Sequence, residues 1–301
     1  MKSSGDQESF ARNLLDRIKS EIGKKSIYTA PDELSGAAIR KYALAIGDFN
    51  PLYSDRAFAK RHGLRDVMAP PTLITDTWQY MNSDVDDKGG MVKIFKPNAP
   101  HDWELIGNAV RAGNDYEFFQ PVHPDDVLTA HWETKNVFEK TGRSGYMIFQ
   151  DIQVSVYNQR DELLCTNVNV QIHRPTFDFF ERSDANKPAE SDLAAAPVVD
   201  SPSARASDSR PAPSPQALER KTRYFEDIQV GEKISPLFKQ FDQLHMMIYG
   251  AATWDFIRVH YDADAVRAAG FKAPFVDGQM FGGILAQQIQ DWAGPGAFLR
   301  R

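Results

Sequence analysis

The chain has 301 residues, 42% of them hydrophobic, which is enough for one large domain or two ordinary ones with real cores. Its 35 basic and 41 acidic residues leave a formal charge of -6 and no basic cluster suited to a phosphate backbone, so nucleic acid is not an expected partner. Cys165 stands alone, so no internal disulfide or multi-cysteine zinc site is open to it; no stretch approaches the roughly 18 apolar residues of a membrane span, and the sequence reads as cytoplasmic, with no membrane partner.

Phe10, Leu14, Leu15, Ile18 and Ile22 recur at helical spacing, predicting an amphipathic helix over 8–22 that packs on its own domain. A strand follows at SIYTA (26–30), then a helix in which Ile39, Tyr42, Ala43 and Ile46 share a face. An irregular GDFNPLYSD leads into a short helix at RAFAKRHG, and APPTLITDTWQYM opens a further helix at two prolines. After Trp103 the pattern alternates in NDYEFFQPV, DVLTAHWETKNVF, GYMIFQDIQVSVYN and LLCTNVNVQIH, with turns at HPDD, EKTGRSG and NQRDE. These segments predict a four-stranded antiparallel meander with its helices on one face, an α+β domain spanning 1–182.

Residues 183–219 are mostly Ala, Pro and Ser without an aromatic, the composition of a disordered linker. Beyond it, 220–301 repeats the opening of the first region: a strand and turn at RYFEDIQVGEKI, a helix at QLHMMIYGAAT, a connection WDFIRVHYD, a short helix ADAVRAAGF and a long helix in FVDGQMFGGILAQQIQDWAG. A constant offset of 207 places Asp48 on Asp255, Tyr53 on His260, Asp55 on Asp262, Gly63 on Gly270 and Leu64 on Phe271. Met280, Phe281, Ile284, Leu285, Ile289 and Trp292 give the long helix an apolar face that needs a sheet around it. No strands follow in the sequence, so the second copy reads as truncated after its central helix, with strands to come from another chain or lost by truncation.

IRKYALAIGDFNPLYSDRAFA resembles the hydratase motif of MaoC-like hot-dog proteins, Asp-x-Asn-Pro-Leu-His with an Asp two positions on. Asp48, Asn50, Pro51 and Leu52 match, while Tyr53 stands in the place of the histidine. WDFIRVHYD reverses the loss: Asp255 and His260 keep the spacing, and Ile257 and Arg258 replace Asn and Pro. The chain is similar to double hot-dog acyl dehydratases of the hydratase 2 type, with an N-terminal fatty-acid dehydratase-like domain. The resemblance implies two copies of a central helix wrapped by antiparallel sheet, a degenerate substrate-binding half marked by Asp48, Asn50 and Tyr53, and a catalytic second half.

The expected reaction is the reversible hydration of a 2-enoyl thioester of coenzyme A or a carrier protein to the (R)-3-hydroxyacyl thioester. Such chemistry needs one group to take a proton from water and another to deliver one to the α carbon, roles for Asp255 and His260. On a continuous helix a five-residue separation sets side chains about 140° apart, so the two converge only if the helix ends between them. The resemblance implies that the backbone N–H of Gly278 stabilises the thioester oxygen; the first copy carries Pro71 there, without an N–H. Arg258, Lys272 and Trp78 are candidate substrate-binding side chains. Taken singly, Asp255 could cap a turn and His260 could be a structural histidine. The motifs GxxxxGK[ST], GxGxxG, GxSxG and HExxH do not occur, and no metal or cofactor is implied. The alternative to an enzyme is a non-catalytic acyl-thioester-binding or partner subunit; either a homo-oligomer or a hot-dog partner assembly is expected.

Overall fold

Ser35 and Gly47 bracket the helix α2 (Gly36–Ile46): the Ser35 hydroxyl accepts from Ala38 N, and Gly47 closes the helix at φ 66°, a left-handed conformation that glycine adopts freely. The computed structural model describes residues 4–76, 84–85, 91–93, 109–142, 145–174, 222–255, 258–268 and 272–301. The segment read as a linker and the side chain of Trp78 lie outside these residues. Before α2 come α1 (Ser4–Lys19) and β1 (Lys25–Thr29); after it come a 3-10 turn at Pro51–Tyr53, α3 (Arg56–Arg61) and α4 (Leu73–Asp76). A two-residue β2 (Asp84–Val85) pairs with β3 (Met91–Lys93). The main strands are β4 (Ala109–Phe118), β5 (Thr129–Gly142), β6 (Gly145–Tyr157) and β7 (Leu163–His173). The last helices are α5 (Gln243–Thr253), α6 (Ala263–Ala268) and α7 (Gly278–Ala293).

The predicted N-terminal helix forms somewhat earlier than its apolar spacing indicated: Leu14, Leu15 and Ile18 pack on Val137 and Ile148, while Ile22 lies beyond the helix and half-exposed. The sheet is antiparallel throughout, in the order β1-β5-β6-β7-β4. The expected strands form, but not as a simple meander. β4 pairs with β7 at one edge, and β1 with β5 at the other, since the helix-free connection 119–128 carries the chain from the β4 edge across the sheet to β5. Burial alternates along β6, with Ile148, Ile152, Val154 and Val156 turned to the helices.

The offset of 207 holds element by element. α2 maps onto α5, the Pro51–Tyr53 turn onto the Arg258–His260 turn, and α3 onto α6. Even a single tertiary bond repeats: Met68 N donates to Leu52 O, and Phe275 N to Val259 O, each at 3.0 Å. The strand expected over 223–234 is absent; Phe225–Asp227 make a 3-10 turn, and Phe225 and Val230 are exposed. A strand needs a ladder partner, and no counterpart of β5 lies beside this segment among the described residues.

The two halves share one core. Met246, Tyr249 and Met280 join Ile39, Tyr42, Ile46 and Leu73 in a single buried cluster, with the Tyr42 and Tyr249 rings 5.9 Å apart. Lys239 Nζ donates to Ile46 O and Gly47 O, placing a cation on the carbonyl end of α2. α7 lies so close that a Cβ at Gly283 would stand 3.1 Å from Tyr42 Oη, 3.2 Å from Thr72 Oγ1 and 3.3 Å from Ile46 Cδ1. Gly283→Val is therefore expected to cost about 1–3 kcal/mol in chemical denaturation. Gly282→Ala, whose nearest neighbour stands 3.6 Å away, serves as the control and should be neutral or stabilising, since alanine favours helix. Equal effects at the two positions would show that the halves do not meet here as described.

Candidate active site

Trp254 carries the chain out of α5. At φ 62° and ψ 24° it adopts the left-handed conformation that Gly47 takes at the equivalent place, and the helix stops there without a proline. Asp255 follows immediately, 4% exposed, with its N–H on Thr253 Oγ1. The 3-10 turn Arg258–His260 then brings the imidazole back. Thus Asp255 and His260 sit on opposite sides of a helix end, and the obstacle of a 140° separation disappears.

His260 Nδ1 lies 3.1 Å from Phe275 O; a carbonyl only accepts, so Nδ1 carries a proton, and in the neutral form of the ring Nε2 is the accepting nitrogen. Nε2 is 3.9 Å from Asp277 Oδ2. The carboxylates of Asp255 and Asp277 and the His260 ring offer atoms that all lie within 4.8 Å of one another, the grouping among the described residues closest to a cation site. Asp277 is 4% exposed and is also the N-cap of α7, where Oδ1 accepts from Gln279 N at 2.8 Å.

Gly278 opens α7, and its N–H belongs to the first turn, which has no acceptor within the helix. It lines a cavity of about 610 Å³, walled by Phe281, Leu285 and Ile289 of α7, Tyr116 and Phe118 of β4, and Thr72. One side of α7, with Met280, Gly283 and Ala286, packs into the core; Phe281, Leu285 and Ile289 stay partly exposed toward this cavity. Arg111, Asp115 and Arg301 stand at its polar margin, where Arg301 pairs with Asp115 at 2.9 Å.

Of the other anticipated side chains, Lys272 is exposed, and for Arg258 only the backbone, in the 3-10 turn, is described. In the first copy Asp48 Oδ1 accepts from Asn50 N, and Asn50 Oδ1 from Leu52 N, so these residues hold their loop by Asx-type bonds. Tyr53 donates its hydroxyl to Gln290 Oε1 of α7 at 2.6 Å and is 1% exposed. Burial pushes Asp48 up to about 7, opposed by the Asn50 N–H, and it drives the Tyr53 phenol well above its ordinary range. Where the second copy gathers carboxylates around an imidazole, the first has a phenol locked across the interface.

Asp277 is the group that sequence reading missed. The available signal was its place one residue before Gly278, where the first copy has Pro70: a side chain with a carboxylate replaces one with no polar group. Only the fold brings it to His260, seventeen residues away in the chain.

Residues 20–167 match the FAS1-like, dehydratase domain region. A UPF0336 protein of Streptomyces coelicolor is 28% identical over 149 residues, covering 49% of this chain and 89% of that protein. One from Thermobifida fusca is 47% identical over 108 residues, 36% of this chain and 64% of its own length. Among solved structures, a MaoC-like dehydratase aligns with a TM-score of 0.65 and 18% identity over 93% of this chain and 80% of that one. A MaoC domain protein from Chloroflexus aurantiacus aligns with a TM-score of 0.57 and 15% identity, covering 90% and 71%. The family match falls on the first half, and the two structural matches carry the fold across both. The first half thus matches a FAS1-like dehydratase region, and the chain as a whole has the fold of MaoC-like dehydratases.

Proposed function

We propose that the chain is a hydro-lyase that reversibly hydrates a 2-enoyl thioester to an (R)-3-hydroxyacyl thioester. The observation that carries this reading is the convergence of Asp255 and His260 at the broken end of α5, in the half that keeps both residues. His260 Nε2, unprotonated in the neutral ring, takes a proton from water as the water oxygen bonds to C3. Asp255 holds and orients that water, and the protonated His260 then gives that proton up to C2, so that H and OH have been added and the ring ends neutral as it began. The enolate oxygen formed in between is held by the Gly278 N–H, where the α7 dipole favours negative charge. The acyl chain extends from there into the apolar cavity that Gly278 borders. Coenzyme A or a carrier protein supplies the thioester, with Lys272 and Arg258 as candidate contacts.

The test is hydration of crotonyl-CoA and of longer trans-2-enoyl-CoA thioesters by the full chain, followed by loss of enoyl thioester absorbance, with His260→Ala beside it. Turnover that vanishes in the variant supports the reading. Folded protein that binds these thioesters without converting any of them would instead support the second reading, a binding or partner subunit, which the exposed Phe281, Leu285 and Ile289 favour.

Gly278→Pro probes the oxyanion role apart from the fold. Proline suits the first helical position, Asp277 before it is already extended at ψ 128°, and no atom lies within 4 Å of a Cβ at 278. Stability is expected to hold while turnover drops by about 10²–10³-fold, the effect of deleting one oxyanion donor. Unchanged turnover would remove this N–H from the mechanism.

A further inference from the structure

We propose that the site takes long acyl chains, laid along α7 from Gly278 to Ile289; this rests on the hydratase reading above and names its substrate class. One stripe of α7 sets the groove. Gly278, Phe281, Gly282, Leu285, Ala286 and Ile289 recur at i, i+3, i+4, i+7, i+8 and i+11, and all line the cavity of about 610 Å³. None of the six has a hydrogen-bonding side chain, so this wall offers a ligand hydrocarbon contact alone. Phe281, Leu285 and Ile289 are 50%, 60% and 38% exposed, which leaves apolar surface for a ligand to cover.

The facing strand gives the groove its direction. Gly278, with the N–H assigned to the thioester oxygen, opens α7 at one end. Tyr116 stands further along, since a Cβ on Gly282 would lie 3.7 Å from its Oη. Phe118 and Leu299 mark the far end, because they also line a smaller cavity with Gln290, the residue after Ile289. Phe118 N donates to Arg300 O at 2.8 Å, which pins the chain beside Leu299 to β4.

The length of the stripe converts into carbons. Gly278 and Ile289 are eleven residues apart, about 16 Å along the helix. A saturated chain of tetrahedral carbons advances about 1.25 Å per carbon, so the stripe matches roughly thirteen of them. A four-carbon acyl group would end near Phe281 and leave the last two turns uncovered.

The experiment is a series of trans-2-enoyl-CoA thioesters of four to sixteen carbons, kept below their micelle concentrations, with the full chain and with Leu285→Trp. Each methylene covered in a half-open groove adds about twofold to kcat/KM, so the wild type should gain about 10²-fold from four to twelve carbons and level off near fourteen. Position 285 lies seven residues from Gly278, about 10 Å along α7, and is exposed, so an indole there blocks the groove past roughly the eighth carbon without overpacking the core. The ratio of kcat/KM for twelve carbons to that for six should fall by about tenfold or more, with the melting temperature unchanged. Turnover indifferent to chain length in the wild type, or a ratio unmoved in Leu285→Trp, would overturn the assignment and leave the hydratase reading standing.

If the wild-type chain converts no thioester, the hydratase reading fails, and the inference is judged by calorimetric binding of saturated butanoyl-CoA and dodecanoyl-CoA. Binding of the longer thioester about 10²-fold more tightly, with the preference lost in Leu285→Trp, supports it; equal affinities overturn it. A wild-type dimer in sedimentation that becomes monomeric in Leu285→Trp, with the chain-length ratio unmoved, would also overturn it, since the groove would then be an interface between copies of the chain.

Discussion

Asp255→Asn is expected to lower turnover of an enoyl thioester by about 10²–10⁴-fold, the range that a positioned acid–base group contributes. The amide has the shape of the carboxylate but can neither take up a proton nor balance charge on the imidazole. The loss should come without unfolding. Asp255 is buried within 4.8 Å of a second buried carboxylate, and removing one of two like charges relieves repulsion, so the variant should match or exceed the wild type in stability. Initial rates and a thermal melt on the same preparation test both halves of the claim. A rate within about threefold of wild type would take Asp255 out of the reaction.

Asp48→Asn is expected to raise stability, and only above acid pH. Burial lifts Asp48 from 3.8 to about 7 in the folded chain; the Asn50 N–H and the Lys239 charge pull against this, and Asp291 adds to it. A group whose folded pKa is raised contributes stability that is fully present below the unfolded value and is lost as pH climbs through the folded one. The wild type should thus lose stability between about pH 4 and 7, relative to the variant, by an amount on the order of 4 kcal/mol. Asparagine can still accept from Asn50 N, so the loop bond survives. Urea midpoints at pH 4.5 and pH 8 measure the effect as a difference of differences. Equal gaps between the two proteins at both pH values would mean that Asp48 is not buried as a carboxyl group needing its proton.

The two predictions concern equivalent positions, and their contrast describes the molecule. Position 255 lies beside an imidazole, with which we propose that it acts; position 48 lies beside Tyr53, whose hydroxyl donates to Gln290. Where the second copy has His260, the first has Tyr53, whose hydroxyl adds a bond to α7 beside the shared core.

How far the amino-acid order reveals this depends on the range of each interaction. The helices α2, α5 and α7 are written locally, in apolar spacing and in Ser35, Asp242 and Asp277 as their caps, and hydrogen bonds within one turn need no distant partner. The repeat is equally local to read, because a conserved offset of 207 requires only comparison of the chain with itself. Asp255 and His260 stand out for the same reason. The strand pattern of the first half is legible in its alternation, but the placement of β4 beside β7 is not, since a strand shows which face is apolar and not which neighbour it will bond. The segment 223–234 has the pattern of a strand and none of its pairing.

The amino-acid order alone therefore determined the α+β class, the duplicated helices and the retained Asp and His, all of which follow from spacing along one chain. Tertiary structure alone decided that Trp254 takes the left-handed exit that lets that pair converge, that Asp277 faces His260, that α7 borders a cavity of about 610 Å³, and that Tyr53 bonds across the interface. Each of these depends on groups that are remote in sequence and meet only when the shared core of the two halves closes around α7.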